Sequence, residues 1–288
     1  MKNYVIFTDS CCDIKPEMLE KWGVVCEDMT FSFEGEDKVY TNRDMTCDTF
    51  YNRMRDGGIA KTAAINAAAF TDAFTPILEA GKDILYVAFS SALSTTVNSA
   101  YMAIEDLKET YPEREIVVVD TLAASAGGGL MVYMAVAKKR EGATLQENAA
   151  YIRSLLPGLC VWFTVNDLEY LRRGGRVSSM AALAGGLLGI KPVLKMDDEG
   201  HLIKESTVRG RKKSLETLAD RYTKLSNEEK NTPVFISHAQ CEDDARALAD
   251  MLMQRHGVEA TLITDIGPVI GSHTGPGAVA LFFLGKHR

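Results

Sequence analysis

The chain has 288 residues, 46% of them apolar and 25% charged, enough to build a sizeable core in one large or two ordinary domains. A formal net charge of −7 excludes a general nucleic-acid surface, which needs clustered positive charge. No apolar run reaches the roughly 18 residues of a membrane helix, and the run after Met1-Lys2-Asn3 is too short for a signal peptide.

The six cysteines, at 11, 12, 26, 47, 160 and 241, form no C-x-x-C pair. They read as reduced thiols of a cytoplasmic protein rather than a disulfide frame. Tyr4 to Thr8 reads as a buried strand with the loop Asp9-Ser10-Cys11-Cys12-Asp13 at its end. Pro16 suits the first turn of a helix stopping at Gly23. Met29 to Tyr40 alternates like a hairpin, and a helix over 47–55 ends at Gly57-Gly58. Lys61 to Ile65 is a short extended link, and Asn66 caps a helix running to Gly81.

Ile84–Ala88 and Ile116–Asp120 are further buried strands, each followed by a polar loop and a long helix. This repetition predicts a parallel sheet with helices on both faces, with ligands at the carboxyl ends of its strands. Pro157-Gly158 marks a boundary between an N-terminal α/β domain over 1–157 and a smaller mixed α/β domain over 158–288. In the second, Leu159–Val165 is a strand and Asp167 begins a short helix ending at Arg172–Arg176. Ser178 or Ser179 caps a small-residue helix ending near Gly189, which reads as core or as the lining of a narrow apolar channel. A hairpin turns at Asp197–Gly200, a basic helix start follows at 209–213, and Val234–His238, a helix over 242–256 and Glu259–Asp265 complete the unit.

Two stretches point to a ligand. Ser90-Ser91-Ala92-Leu93-Ser94-Thr95-Thr96 places five hydroxyls in seven residues ahead of a helix, more than capping needs. Near the end, Ile266 to Gly277 is dense in glycine and proline around His273 and Thr274. A helix beginning after Thr274, with Pro276 in its first turn, would aim free N–H groups at an anion there. The five histidines have no metal spacing, so no metal is expected. Gly271-Ser272-His273 does not fit G-x-S-x-G, and Gly185–Lys191 lacks the phosphate-loop order. Gly127-Gly128-Gly129, inside an apolar helix pattern, permits close packing. Arg176 near the cleft suits an anion, and the cluster Arg209, Arg211, Lys212 and Lys213 suits a partner's acidic face or plain solvated surface.

Several of these pieces, in order, resemble the DegV family: Thr8-Asp9-Ser10, Ser90-Ser91-Ala92-Leu93-Ser94, Asp167 to Arg176, Ile190-Lys191-Pro192, Arg209 to Lys213, and Gly267 to Gly277. They span nearly the whole chain. The resemblance implies a two-domain α/β protein with one long-chain fatty acid between the domains, no catalysis of its own and no cofactor. By motif, Thr62, Ser94 and Thr95 would hold the carboxylate, His273 and Thr274 would complete that end, and Arg176 would support it. Asn66 would keep a polar group beside it. Arg209, Arg211 and Lys212 would dock a separate ATP-dependent fatty acid kinase that makes acyl-phosphate for bacterial phospholipid synthesis. Contact with a membrane would be transient at most. The sequence departs from the family pattern at Ala63, Ile65 and Thr95, where serine, proline and glycine are usual. Two rival readings are a phosphotransferase or hydrolase using Asp9, Asp13 and His273, and a regulator that binds a protein through 209–213.

Overall fold

A computed structural model describes residues 3–177, 189–227 and 232–288. The helix expected over 181–188 and its cap at Ser178 or Ser179 lie outside the described residues. The chain runs β1 (Tyr4–Asp9), α1 (Pro16–Trp22), β2 (Val24–Glu27), β3 (Thr30–Phe33), β4 (Val39–Thr41), α2 (Cys47–Arg55), β5 (Ala60–Ala63), α3 (Ala67–Glu79), β6 (Asp83–Ala88), α4 (Thr96–Thr110), β7 (Ile116–Asp120), α5 (Ala126–Arg140) and α6 (Leu145–Leu155). It continues with β8 (Leu159–Thr164), α7 (Glu169–Gly174), β9 (Ile190–Met196), β10 (Leu202–Arg209), α8 (Arg211–Leu225), β11 (Phe235–His238), α9 (Glu242–His256), β12 (Leu262–Asp265), α10 (Pro268–Thr274) and β13 (Val279–Leu284).

The first half carries a parallel sheet in the order β2-β1-β6-β7. Successive side chains of a strand point to opposite faces. Phe7 packs edge-on against Phe74 of α3 on one face. Tyr4, on the other face, bonds Ala143 O and the Asn148 amide, next to and within α6. Helices therefore cover both faces, as the strand–loop–helix pattern requires. The stretch read as a link at 61–65 is in part a strand: β5 pairs antiparallel with β3 in a small sheet, setting Thr62 opposite Phe31.

From Leu159 on, a six-stranded sheet runs β10-β9-β8-β13-β11-β12, antiparallel except for β11 with β12. One face buries Trp162, Val193, Leu281 and Phe283 under Leu215, Leu218 and Tyr222 of α8 and Leu248 and Leu252 of α9. The other face meets α5, where Tyr133 stacks edge-on against Phe235. So α5 lies between the two sheets and is apolar on both sides. The sheets divide between Asp120 and Leu159, but a single core cluster runs from Tyr4 to Leu284. At its edge the buried Arg288 guanidinium donates to Thr121 O at 3.0 Å, Leu159 O at 3.1 Å and Asp197 O at 3.1 Å, tying both halves to the β9–β10 turn.

The stretch from Gly267 to Leu284 is arranged differently from the sequence expectation. The helix precedes Gly275 rather than following Thr274: α10 starts at Pro268 and ends at Thr274, and the apolar run after Pro276 is the central strand β13. Pro268, not Pro276, is the first-turn proline.

The glycines of α5 are not equivalent. A Cβ on Gly129 would lie 2.6 Å from Cys12 O, and one on Gly127 would lie 3.0 Å from Phe282, whereas one on Gly128 meets nothing closer than 3.9 Å. Gly129→Ala is expected to cost about 1–3 kcal/mol by overpacking, read as a lower denaturant midpoint. Gly128→Ala should be neutral or gain up to about 1 kcal/mol from helix propensity. Equal midpoints for the two variants would contradict this packing.

Candidate functional site

Between the halves, where α5 begins, lies a cavity of about 440 Å³. Its described lining is mostly apolar, with Phe89, Leu93, Val161, Phe163, Met196, Leu202, Val269, Ile270 and Phe282 contributed by both halves. This size falls within the range of small-ligand pockets. Among the described residues no group of side chains could hold a metal, and no helix is long and apolar enough to cross a membrane. All six cysteines are free.

One end of the cavity is polar and reaches the surface. There Thr62 Oγ1 lies 2.9 Å from His273 Nε2, and Ser94, Thr95, Arg176 and Thr274 also line it. Arg176 Nε donates to Leu93 O at 3.2 Å, beside Ser94. Ser94 Oγ accepts the Thr96 N–H at 3.2 Å and pairs with Thr96 Oγ1 at 2.9 Å, which turns it at the start of α4. Thr274 Oγ1 bonds back to Ile270 O at 3.4 Å. Six of the residues singled out by sequence (Thr62, Ser94, Thr95, Arg176, His273 and Thr274) therefore line one cavity.

His273 is held tightly. A Cβ on Gly174 would fall 2.2 Å from His273 Nδ1, so only glycine leaves the ring its place. Burial, and then the Arg176 charge, push the imidazole from 6.5 down to about 4, so it is neutral at pH 7. Its buried Nδ1 has no partner among the described residues. A bare lone pair is the smaller burial cost, so the proton belongs on Nε2, donated to Thr62 Oγ1. The Thr62 hydroxyl hydrogen is then free to point into the cavity. The helix N-terminus expected to greet an anion at this end is absent, since His273 and Thr274 close α10. The donors here are side chains.

The N-terminus of α10 instead holds a carboxylate of the chain itself. Gly267 N–H donates to Asp13 Oδ1 at 3.0 Å, and Ser125 Oγ donates to Asp13 Oδ2 at 2.5 Å. Ser237 Oγ lies 3.0 Å from Ser125 Oγ. Burial pushes Asp13 up to about 7, only partly offset by the Ser125 and Gly267 bonds. Ser125 lines the cavity. The sequence offered Asp13 as a candidate catalytic carboxylate but did not pair it with Ser125, Ser237 or Gly267, because these are distant in the chain.

Other expectations need correction. Asn66 is exposed, accepts the Ala69 N–H at 2.9 Å as the cap of α3, and is not among the cavity residues. Ser90 is fully buried and structural, donating to Gly200 O at 3.0 Å. Arg211 is not a free docking cation: it pairs with Asp244 at 2.9 Å and is part-buried, while Arg209 and Lys212 are exposed. The enzyme reading loses its geometry as well. Asp9 is buried, accepting from Cys11 N, Tyr86 OH and Phe89 N, and Asp13 sits at the opposite end of α10 from His273.

A family profile described as an uncharacterised protein of the DegV family matches residues 3–286. The chain belongs to the DegV family. A DegV domain-containing protein of Clostridium perfringens is 42% identical over 294 residues, spanning 100% of this chain and 99% of its own. A Thermus thermophilus DegV family protein, described by its fatty acid binding, superposes with a TM-score of 0.87 at 29% identity, covering 99% of this chain and 100% of its own. A stearic acid-binding protein of Eubacterium ventriosum gives 0.89 at 27% identity, covering 98% of each chain. The two α/β halves of this DegV chain thus have the architecture of proteins described by their fatty acid binding.

The depressed His273 value has a signed consequence. Between about 4 and the ordinary 6.5 the unfolded chain holds a proton that the folded chain excludes, so this residue lowers stability as pH falls through that window. Asp13 acts with the opposite sign, so the comparison with a variant is the readout. His273→Gln should flatten the fall in unfolding free energy over that window. An unchanged slope would contradict a neutral, buried His273.

Proposed function

We propose that this chain is a cytoplasmic carrier for one long-chain fatty acid and has no catalysis of its own. The acyl chain fills the cavity, and the carboxylate lies among Thr62, Ser94, Thr95, His273 and Thr274. The carrier presents that carboxylate to a separate ATP-dependent kinase for acyl-phosphate formation, which feeds phospholipid synthesis. The observation that carries the reading is a largely apolar cavity whose surface end gathers hydroxyls around a neutral histidine.

The chemistry is consistent. Burying the acyl chain gains about 0.8 kcal/mol per CH₂, so a tunnel retains lipid without a covalent bond. A carboxylate in a dry site needs donors, and the Thr62 hydroxyl, oriented by His273, supplies one. Arg176 adds positive charge at the mouth. The similar DegV proteins of Thermus and Eubacterium, whose descriptions name fatty acid and stearic acid binding, support the ligand class. Arg209 and Lys212 are the exposed cations of the cluster assigned to kinase docking, with Arg211 held against Asp244.

Mass spectrometry of solvent extracts from the purified protein should find a stoichiometric long-chain acid. An empty extract, together with failure to take up any such acid, would sink the reading. Thr62→Val and Ser94→Ala should each weaken acid binding by about tenfold, the worth of one hydrogen bond to a charged group. Wild-type affinity in both would refute the carboxylate assignment. Charge reversal at Arg209 and Lys212 should abolish acyl-phosphate formation by an added kinase while leaving bound lipid unchanged. Retained turnover would remove the docking assignment.

A further inference from the structure

The cavity opens where its lining residues reach the surface, at Ala64, Ser91, Thr95 and Arg176. The two sides of this mouth differ in chemistry. On one side stand the starts of α3 and α4, which pack together. No residue from Thr62 to Thr71 or from Phe89 to Ile104 is charged. Ala63, Ala64 and Ala68 are exposed on the α3 side. On the α4 side Thr95, Asn98 and Met102 are exposed at positions i, i+3 and i+7, so one face runs from the mouth for about 10 Å.

That face carries large apolar side chains in the open. Met102 is 64% exposed and its neighbour Tyr101 48%. Among the described residues the other exposed large apolar side chains are Val25, Val39 and Met253, one each on β2, β4 and α9. Such residues scattered singly need no explanation, whereas two side by side on a face that starts at a binding site mark a contact surface.

The other side of the mouth is α7. Leu171 lines the cavity and Gly174 seats His273. Arg172 and Arg173 are exposed over 59% and 42% of their side chains and share one carboxylate, Glu169, at 2.7 and 3.9 Å. Arg176 donates to the carbonyls of Leu93 and Gly174 and has no acidic partner among the described residues. This edge of the mouth is therefore basic, in a chain whose net charge is −7.

Phosphoryl transfer to a carboxylate held at the mouth brings the reacting atoms to about 3–3.5 Å, so a separate kinase has to seat on this rim. Tyr, Met and Arg are side chains that protein interfaces concentrate, and Lys, Glu and Asp are ones they deplete. We infer that the rim is the docking face for the kinase, with Tyr101 and Met102 as its apolar anchors and with Arg172 and Arg173 meeting an acidic edge on the partner. This inference rests on the carrier reading and extends the contact beyond the basic cluster at 209–213. A lipid bilayer fits the rim less well. Past Met102 the α4 face reaches Glu105 and Asp106, and Asp72 follows Ala68 on α3, all exposed, so an anionic surface drawn to α7 is repelled there.

The test uses the chain loaded with octadecanoate, a separately purified fatty acid kinase subunit from the same genome, and ATP. Tyr101→Ser with Met102→Glu forms one variant, and Arg172→Glu with Arg173→Glu the other. None of the four residues lines the cavity, so octadecanoate affinity and the denaturant midpoint should match the wild type. Each variant should raise KM for the loaded carrier about tenfold with kcat little changed, the mark of lost docking rather than lost chemistry. Met253→Glu on α9 should keep the wild-type KM. Wild-type KM in both rim variants overturns the inference and leaves the carrier reading standing. So does an unchanged KM with slower acid uptake from phosphatidylglycerol vesicles, which assigns the rim to a lipid surface. A wild type that binds octadecanoate without being phosphorylated removes the kinase step and this inference with it, and one that binds no acid overturns the carrier reading as well.

Discussion

The position of α5 between two sheets is the constraint on which the rest of the structure depends. A helix buried on both sides cannot keep a polar face, and its sequence has none before Lys138. Close approach of both sheets also requires missing side chains. Gly129 lets Cys12 and Ile14 near on one side, and Gly127 admits Phe282 and Val161 on the other. The wedge ends where the helix begins. Beyond it, the lining of the cavity (Ala124, Ser125, Val161, Phe282) continues the α5 contact surface, since Val161 and Phe282 also pack at Gly127. Cavity and core packing are thus one feature: the same glycines that close the sheets on α5 set how wide the space beyond it is.

Much of this was legible in the chain. Strand, polar loop and helix repeat in the first half, and a parallel sheet follows from that pattern alone. What was not legible follows a physical rule as well. Ala278 to Leu284 is buried throughout, so the strand shows no alternation, and a continuous apolar run reads equally well as a helix. The glycines before it were signals of close approach rather than of a helix start. A Cβ on Gly275 would strike Tyr170 at 2.2 Å, and Gly277 packs against Asn166. The same residues serve α7, the element that carries the Gly174 seat of His273.

Site residues divide along a similar line. Thr62, Ser94 and His273 stand in motifs with an excess of donors or turn-formers, and such an excess is visible locally. Asp13 and Ser125 are not visible in this way. Asp13 meets Gly267 across 254 positions, and the left-handed φ of Ser125 leaves no compositional trace. Counting hydroxyls alone also overstates a site. Ser90 is spent on Gly200, and Asn66 on its own helix, while the basic run at 209–213 loses Arg211 to Asp244. A local pattern supplies candidates, and only tertiary pairing decides which keep a free valence.

The electrostatics of α10 distinguish the two ends of the site. Its C-terminal carbonyls favour a cation at His273, yet burial and Arg176 win and keep the ring neutral. Its N-terminal N–H groups favour an anion, and there Asp13 already supplies one, raised toward neutrality by its own burial. An incoming carboxylate cannot displace Asp13 without breaking the Ser125 and Gly267 bonds. On the carrier reading it lies instead at the His273 end, where Arg176 also lines the cavity. Once there, it opposes the two causes that depress the imidazole, adding negative charge beside a ring that lacked it. On the carrier reading, a carboxylate there would favour the protonated form of His273 and offset part of its own desolvation cost.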